Sequence, residues 1–273
     1  MPSAFFLPVD PGERFCIYHP SAAGTPRRRG VVFVHPFAEE MNKARRMAAL
    51  QARRFAAAGF SVLQIDLHGC GDSTGDFADA RWGSWVRDVK AAVHWLKERI
   101  GSSVSLWGLR LGALLAVDVA RDPTIGIDHL LLWQPVINGS QFLTQFLRLR
   151  LAGEMLASGA ATTGIQELNA ELGRGRSLEI AGYALHPELA SAIQQLNLTT
   201  MVPQVKRADW IEVAPDAAST MRPASQRVLD AWRTAGLQTT AATVVGEPFW
   251  STIEIAECEE LLLVTADAMK SIG

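Results

Sequence analysis

Short apolar runs alternate with longer amphipathic stretches along most of this chain. Val31-Val32-Phe33-Val34 is continuous and rich in β-branched residues, the pattern of a strand buried on both faces. Similar runs at residues 15–18, 61–65, 104–107, 129–133, 210–213 and 239–245 predict further strands. Residues 42–58 read as a helix stopped by Gly59. Residues 82–99 place Trp85, Val89, Ala92, Val93 and Leu96 on one helical face. Helices are also predicted at 113–120, 225–235 and 252–269, and a Gly/Pro/Arg turn at 20–29. Strands alternating with helices in this way predict a parallel sheet covered by helices on both faces. Between residues 139 and 205 the rhythm changes. Residues 141–150 read as helical, followed by small polar residues and a Gly-Arg-Gly-Arg turn. We expect this segment to be a cap inserted over the carboxyl ends of the strands, within a single domain spanning residues 1–273.

The predicted strand at 104–107 and the helix after it flank Gly108-Leu109-Arg110-Leu111-Gly112. This has the form of a nucleophile elbow, G-x-S-x-G, in its strand–turn–helix setting, with arginine where serine belongs. Glycines two positions either side of the central residue have a steric reason, because the turn is strained and crowded. Arginine stays protonated at any relevant pH and cannot attack a carbonyl. His35-Pro36-Phe37 follows the strand at 31–34, where hydrolases of this kind carry one oxyanion donor. The donors here would be the backbone N–H groups of Phe37 and Leu111. Pro36 lacks an N–H, but that position is not the donor. Residues 66–73 have the form D-x-x-G-x-G-x-S, a loop found in many lipases and esterases.

The other members of a Ser-His-Asp triad are not in their expected places. Asp216 follows the strand at 210–213 and is the acid candidate, or equally a plain turn aspartate beside Pro215. Phe249 stands where the base is expected. The histidines are at 19, 35, 68, 94, 129 and 186, so none lies in the last third of the chain. Acyl transfer by the usual route then has no means of generating an alkoxide. Cys70 and Ser73 are the alternative nucleophiles, although Cys70 reads first as a small buried apolar side chain. Arg110 sits at the amino end of a helix, where free N–H groups and the helix dipole favour an anion. It therefore reads either as the anchor of an anionic ligand or as one half of an internal ion pair with Glu39, Glu40 or Asp72. His35, Glu39, Glu40, His68 and Asp72 are the expected pocket residues around it. The stripe Phe142, Phe146 and Leu149, with Arg148 and Arg150 beside it, either packs on the domain below or touches a membrane or partner.

Composition narrows the classes. Of 273 residues, 48% are hydrophobic and 20% charged, which supports a sizeable core. A net charge of -2 argues against nucleic acid or an anionic membrane as the main partner. Three scattered cysteines without a C-x-x-C pair imply reduced thiols, a cytoplasmic setting and no zinc site, and no cofactor motif is present. Residues 1–11 lack a basic region and are broken by Pro8, so they do not read as a signal peptide. No apolar run approaches the roughly 18 residues of a transmembrane helix.

The chain resembles the α/β-hydrolase superfamily over most of its length. It is most similar to the hydrolase 2 proteins associated with the exosortase A system. The residues that carry this are Pro36 through Lys43, Cys70-Gly71-Asp72-Ser73, Trp107 through Gly112, Leu132 through Val136, Gln141 through Arg150 and Gly246-Glu247-Pro248-Phe249-Trp250. The resemblance implies an α/β-hydrolase fold, with a mostly parallel central sheet flanked by helices and a small helical cap. It also implies a bacterial setting of exopolysaccharide synthesis and protein sorting, and that an arginine elbow is not peculiar to this chain. The expected function is a non-catalytic or weakly catalytic binder of an anionic small molecule or a protein partner. The alternatives are a hydrolase of esters, thioesters or related bonds with an unorthodox nucleophile, and a scaffold in a polysaccharide-synthesis complex.

Overall fold

The computed structural model describes residues 1–22, 29–158 and 164–270, so residues 23–28 of the expected turn lie outside the described residues. The strands of its main sheet are β1 (Ser3–Pro8), β2 (Glu13–His19), β3 (Gly30–Val34), β4 (Ser61–Ile65), β5 (Val104–Leu109), β6 (Ile127–Trp133), β9 (Arg207–Ala214) and β10 (Gln238–Val245). Their order is β1-β2-β4-β3-β5-β6-β9-β10. β2 runs antiparallel to both β1 and β4, and every pairing from β4 to β10 is parallel. A separate hairpin pairs β7 (Leu178–Ile180) with β8 (Tyr183–Leu185).

The helices are α1 (Glu39–Ala57), α2 (Trp82–Ile100), α3 (Leu111–Val119), α4 (Gly139–Ser158), α5 (Ile165–Gly173), α6 (Pro187–Gln194), α7 (Pro223–Thr234) and α8 (Glu259–Lys270). β3 shows why its sequence is apolar throughout. Val32 and Val34 point into the core shared with α2 and α3, while Val31 and Phe33 point into the core beneath α1 and α8. Each such buried side chain contributes about 1.5–3 kcal/mol relative to exposure. On α2, Val89, Ala92, Val93 and Leu96 are fully buried against the sheet, the face its periodicity predicted.

Residues between β6 and β9 form α4, α5, the β7–β8 hairpin and α6. Phe142 and Phe146 of α4 meet Phe37 edge-on, with ring centroids 5.5 and 5.0 Å apart. The Tyr183 hydroxyl donates to Glu39, 3.0 Å away, and Arg81 pairs with Glu188. Two local expectations are corrected. β1 was not foreseen, because an exposed edge strand leaves only a weak pattern: Leu7 is buried and Phe6 is exposed. The last helix begins at Glu259 and not at residue 252: Lys43 and Arg46 of α1 tie down the segment before it through Ile253 O and Glu257, and Arg54 pairs with Glu259 at the helix start.

Candidate active site

The β5–α3 turn has elbow geometry. Arg110 sits at φ 56°, ψ -118°, a region that costs a non-glycine residue about 1–3 kcal/mol. A Cβ on Gly112 would lie 2.3 Å from the carbonyl oxygens of Val34 and His35, and one on Gly108 would lie 2.4 Å from Ala113 Cα. The turn is tied to the end of β6: Arg110 N–H donates to Trp133 O (3.0 Å), and Arg110 O accepts from Val136 N (3.2 Å). A second strained turn feeds the site. Ala38 caps α1 at φ 50°, ψ -129°, and so delivers Glu39 and Glu40 beside the elbow.

Of the three acids expected near Arg110, Glu40 is its partner. Arg110 Nε and Nη2 both donate to Glu40 Oε1, at 3.1 and 3.0 Å. Glu40 Oε2 is buried and has no partner among the described residues. Burial pushes the Glu40 carboxyl up, and the charge and hydrogen bonds of Arg110 pull the other way. The guanidinium lies 5.5 Å from the centre of the Trp250 ring, a cation–π distance. Above this pair lies a cavity of about 320 Å³, with Phe37, Phe142, Phe146 and Trp250 in its walls and Glu40 and Arg110 among its polar groups.

The other expected site residues divide clearly. Glu39 lines the cavity, but its carboxylate accepts from Tyr183 and Asn42. Tyr183 is pushed up to about 12 by burial and by Glu39. His35 does not line this cavity. Its Nε2 accepts from Leu67 N–H (3.1 Å), so the proton sits on Nδ1, which donates to Pro36 O (2.7 Å). Burial holds the ring below its ordinary pKa, and it braces the end of β3 to the loop after β4. His68 and Asp72 also stand away from the cavity. The backbone of His68 is held by Asp88 and Trp85, and Asp72 is exposed with its N–H donated to Asp66.

Phe37 and Leu111 are buried beside the elbow, and neither backbone N–H has a hydrogen-bond partner among the described residues. Cys70 is buried, and desolvation together with Asp66 and Asp88 raises its thiol well above the ordinary range. The Ser73 hydroxyl accepts from Phe15 N–H (2.9 Å) and donates to Asp66 O (2.5 Å), which ties the loop to β2. Asp216 is exposed and spends Oδ1 on the N–H groups of Ala218 and Ser219. Phe249 is fully buried, with its ring against Trp133 and Trp250. Trp250, not Phe249, faces the cavity. Its role was not foreseen, although it belongs to the Gly-Glu-Pro-Phe-Trp run. Among the described residues no group of three His, Cys, Asp or Glu side chains could hold a metal ion, and no helix is long and apolar enough to cross a membrane.

The sequence profile of the family described as serine aminopeptidase, S33, matches residues 25–199, more than half of the chain. The chain belongs to that family. Its fold is the α/β-hydrolase fold. Est1E from Butyrivibrio proteoclasticus, solved with ferulic acid, superposes with a TM-score of 0.69 at 15% identity and covers 98% of both chains. A thermostable carboxyl esterase from Bacillus coagulans, solved with glycerol, gives 0.65 at 12% identity over 99% of this chain and 98% of that one. Human Protein ABHD12B is 29% identical over 155 residues, which cover 49% of this chain. The matched stretch spans 41% of that relative's own length. In this S33-family chain the elbow residue is Arg110.

Proposed function

We propose that this protein binds an anionic small molecule over Arg110 and hydrolyses esters weakly or not at all. The observation that carries this is the Arg110–Glu40 pair at the elbow, beneath an aromatic-walled cavity. A guanidinium offers directed donors to a carboxylate or phosphate but no nucleophile. The cavity lies at the small end of the roughly 300–1,000 Å³ typical of ligand sites. His35 is committed to backbone partners and Phe249 is packed in the core, so neither supplies a general base. Residues 139–205 serve in this reading as the cap that walls the cavity. The resemblance to the exosortase-associated proteins supports a cytoplasmic role in exopolysaccharide synthesis or protein sorting.

Turnover of p-nitrophenyl acetate and butyrate tests the catalytic half of the proposal. We expect rates near background, with some residual catalysis from the free oxyanion donors Phe37 and Leu111. Turnover of about 1–1,000 per second would reject it. Loss of such a rate in Cys70→Ala or Ser73→Ala would then identify the nucleophile.

A further inference from the structure

We infer that Glu40 is an exchangeable counter-ion, displaced from Arg110 by the carboxylate of a small aromatic or acyl acid and taking up one proton as that acid binds. The inference rests on the anion-binding reading above and deepens it by naming the ligand class and the residue that yields.

Three observations carry it. The Arg110–Glu40 contact is not a two-oxygen fork, because both guanidinium bonds go to the single oxygen Oε1. A ligand carboxylate that engages the guanidinium with both oxygens makes the stronger arrangement. Glu40 Oε2 is a buried acceptor with no donor, which is a costly state for an ionised carboxylate. Protonated, the same oxygen becomes a donor, and an arriving carboxylate is the acceptor it lacks. Two carboxylates sharing one guanidinium cannot both stay ionised cheaply, so the buried one takes the proton from solvent. The upward push that burial exerts on Glu40 has the same direction. The remaining requirement is apolar: the ligand body must fill space walled by Phe37, Phe146 and Trp250, which suits one aromatic ring or a short acyl chain.

No other cavity group competes for the role. The titratable side chains lining it are Glu39, Lys43, Glu40 and Arg110. Glu39 accepts from Tyr183 of β8 and from Asn42, and the Lys43 amine donates to Ile253 O (2.6 Å). From α4 the cavity receives Phe142, Gln145, Phe146 and Leu149, and from the segment after β10 it receives Trp250 and Ser251, none of which titrates.

The test is a calorimetric titration with 3-phenylpropionate at pH 6, 7 and 8, in two buffers of different ionisation heat. This acid stays ionised across that range, so any proton taken up belongs to the protein. We expect affinity to rise as pH falls, by up to about tenfold per pH unit, with about one proton bound per ligand. Glu40→Gln mimics the protonated state. It should bind at least about tenfold more tightly than the wild type at pH 8, with no pH dependence and no proton uptake. Wild-type binding that Arg110→Gln abolishes, but that is independent of pH and takes up no proton, would overturn this inference and leave the anion-site reading standing. No binding by the wild type or Glu40→Gln at any pH would overturn both. The proton count on the wild type decides the matter even where Glu40→Gln does not fold.

Discussion

Arg110→Ser restores G-x-S-x-G in a turn that already has elbow geometry, and it should give an unstable protein and not an esterase. The backbone change is neutral, since serine bears the positive φ no better than arginine does. The cost comes from Glu40, left without its cation. Removing one partner of a fully buried pair costs about 3–5 kcal/mol. An exposed pair is worth about 0–1 kcal/mol. Arg110 and Glu40 are 16% and 20% exposed, so we expect a loss between these limits, about 2 kcal/mol. That corresponds to a fall in Tm of about 4–8 °C. The loss should depend on pH with a definite sign. Burial raises the folded-state pKa of Glu40 above its unfolded value, and without Arg110 nothing opposes that rise. The folded state then holds the proton more tightly, so the variant loses stability as pH rises from the unfolded carboxyl range up through the raised folded-state pKa, and recovers on acidification. Adding Glu40→Gln should restore most of the lost Tm at neutral pH. Thermal denaturation of the wild type, single and double variants measures this. An Arg110→Ser protein within about 0.5 kcal/mol of the wild type, with no effect of Glu40→Gln, would refute the pairing argument.

Three further outcomes follow from the same geometry. Gly112→Ala drives a Cβ against two backbone carbonyls that cannot move aside, and should cost about 3 kcal/mol or more in chemical denaturation; stability within about 0.5 kcal/mol of the wild type would contradict the elbow packing. His35 is held neutral by burial, so the stability it contributes is present above about pH 6.5 and is lost as pH falls below that value; His35→Gln should flatten this part of the stability–pH curve, and an unchanged slope would show that His35 does not titrate as described. Phe249→His added to Arg110→Ser should destabilise the protein by about a further 2–3 kcal/mol and give no efficient hydrolysis of p-nitrophenyl butyrate, because residue 249 packs against Trp133 and away from the cavity; efficient hydrolysis would show that the new imidazole reaches the elbow.

Much of the sheet was legible because parallel strands buried on both faces leave unbroken apolar runs. Val31 to Val34 is the clearest case, since its side chains serve two separate cores. The elbow was legible because Gly108 and Gly112 are demanded by contacts of the turn itself. Features set by distant partners were not. Three acids could have met Arg110. The choice of Glu40 depends on Ala38 starting α1 at an angle that sends Glu40 to the elbow and Glu39 to Tyr183. The segment before α8 and the start of that helix meet Arg46 and Arg54 of α1, long-range contacts that no local periodicity records. His35 and His68 sit in motif positions, yet nearby backbone groups claim the His35 ring, and the His68 backbone is held by the side chains of Asp88 and Trp85 away from the cavity. Trp250 faces the cavity while its neighbour Phe249 fills the core, a one-residue distinction outside any repeating pattern.

The measurement closest to the central claim is a titration of the wild type and Arg110→Gln with 3-phenylpropionate at pH 6.5. Charge-assisted hydrogen bonds contribute about 1.5–3 kcal/mol, so the wild type should bind one equivalent saturably and the variant about 10–100-fold more weakly. Equal affinity in a folded Arg110→Gln protein would contradict the assignment of Arg110 as the anion anchor.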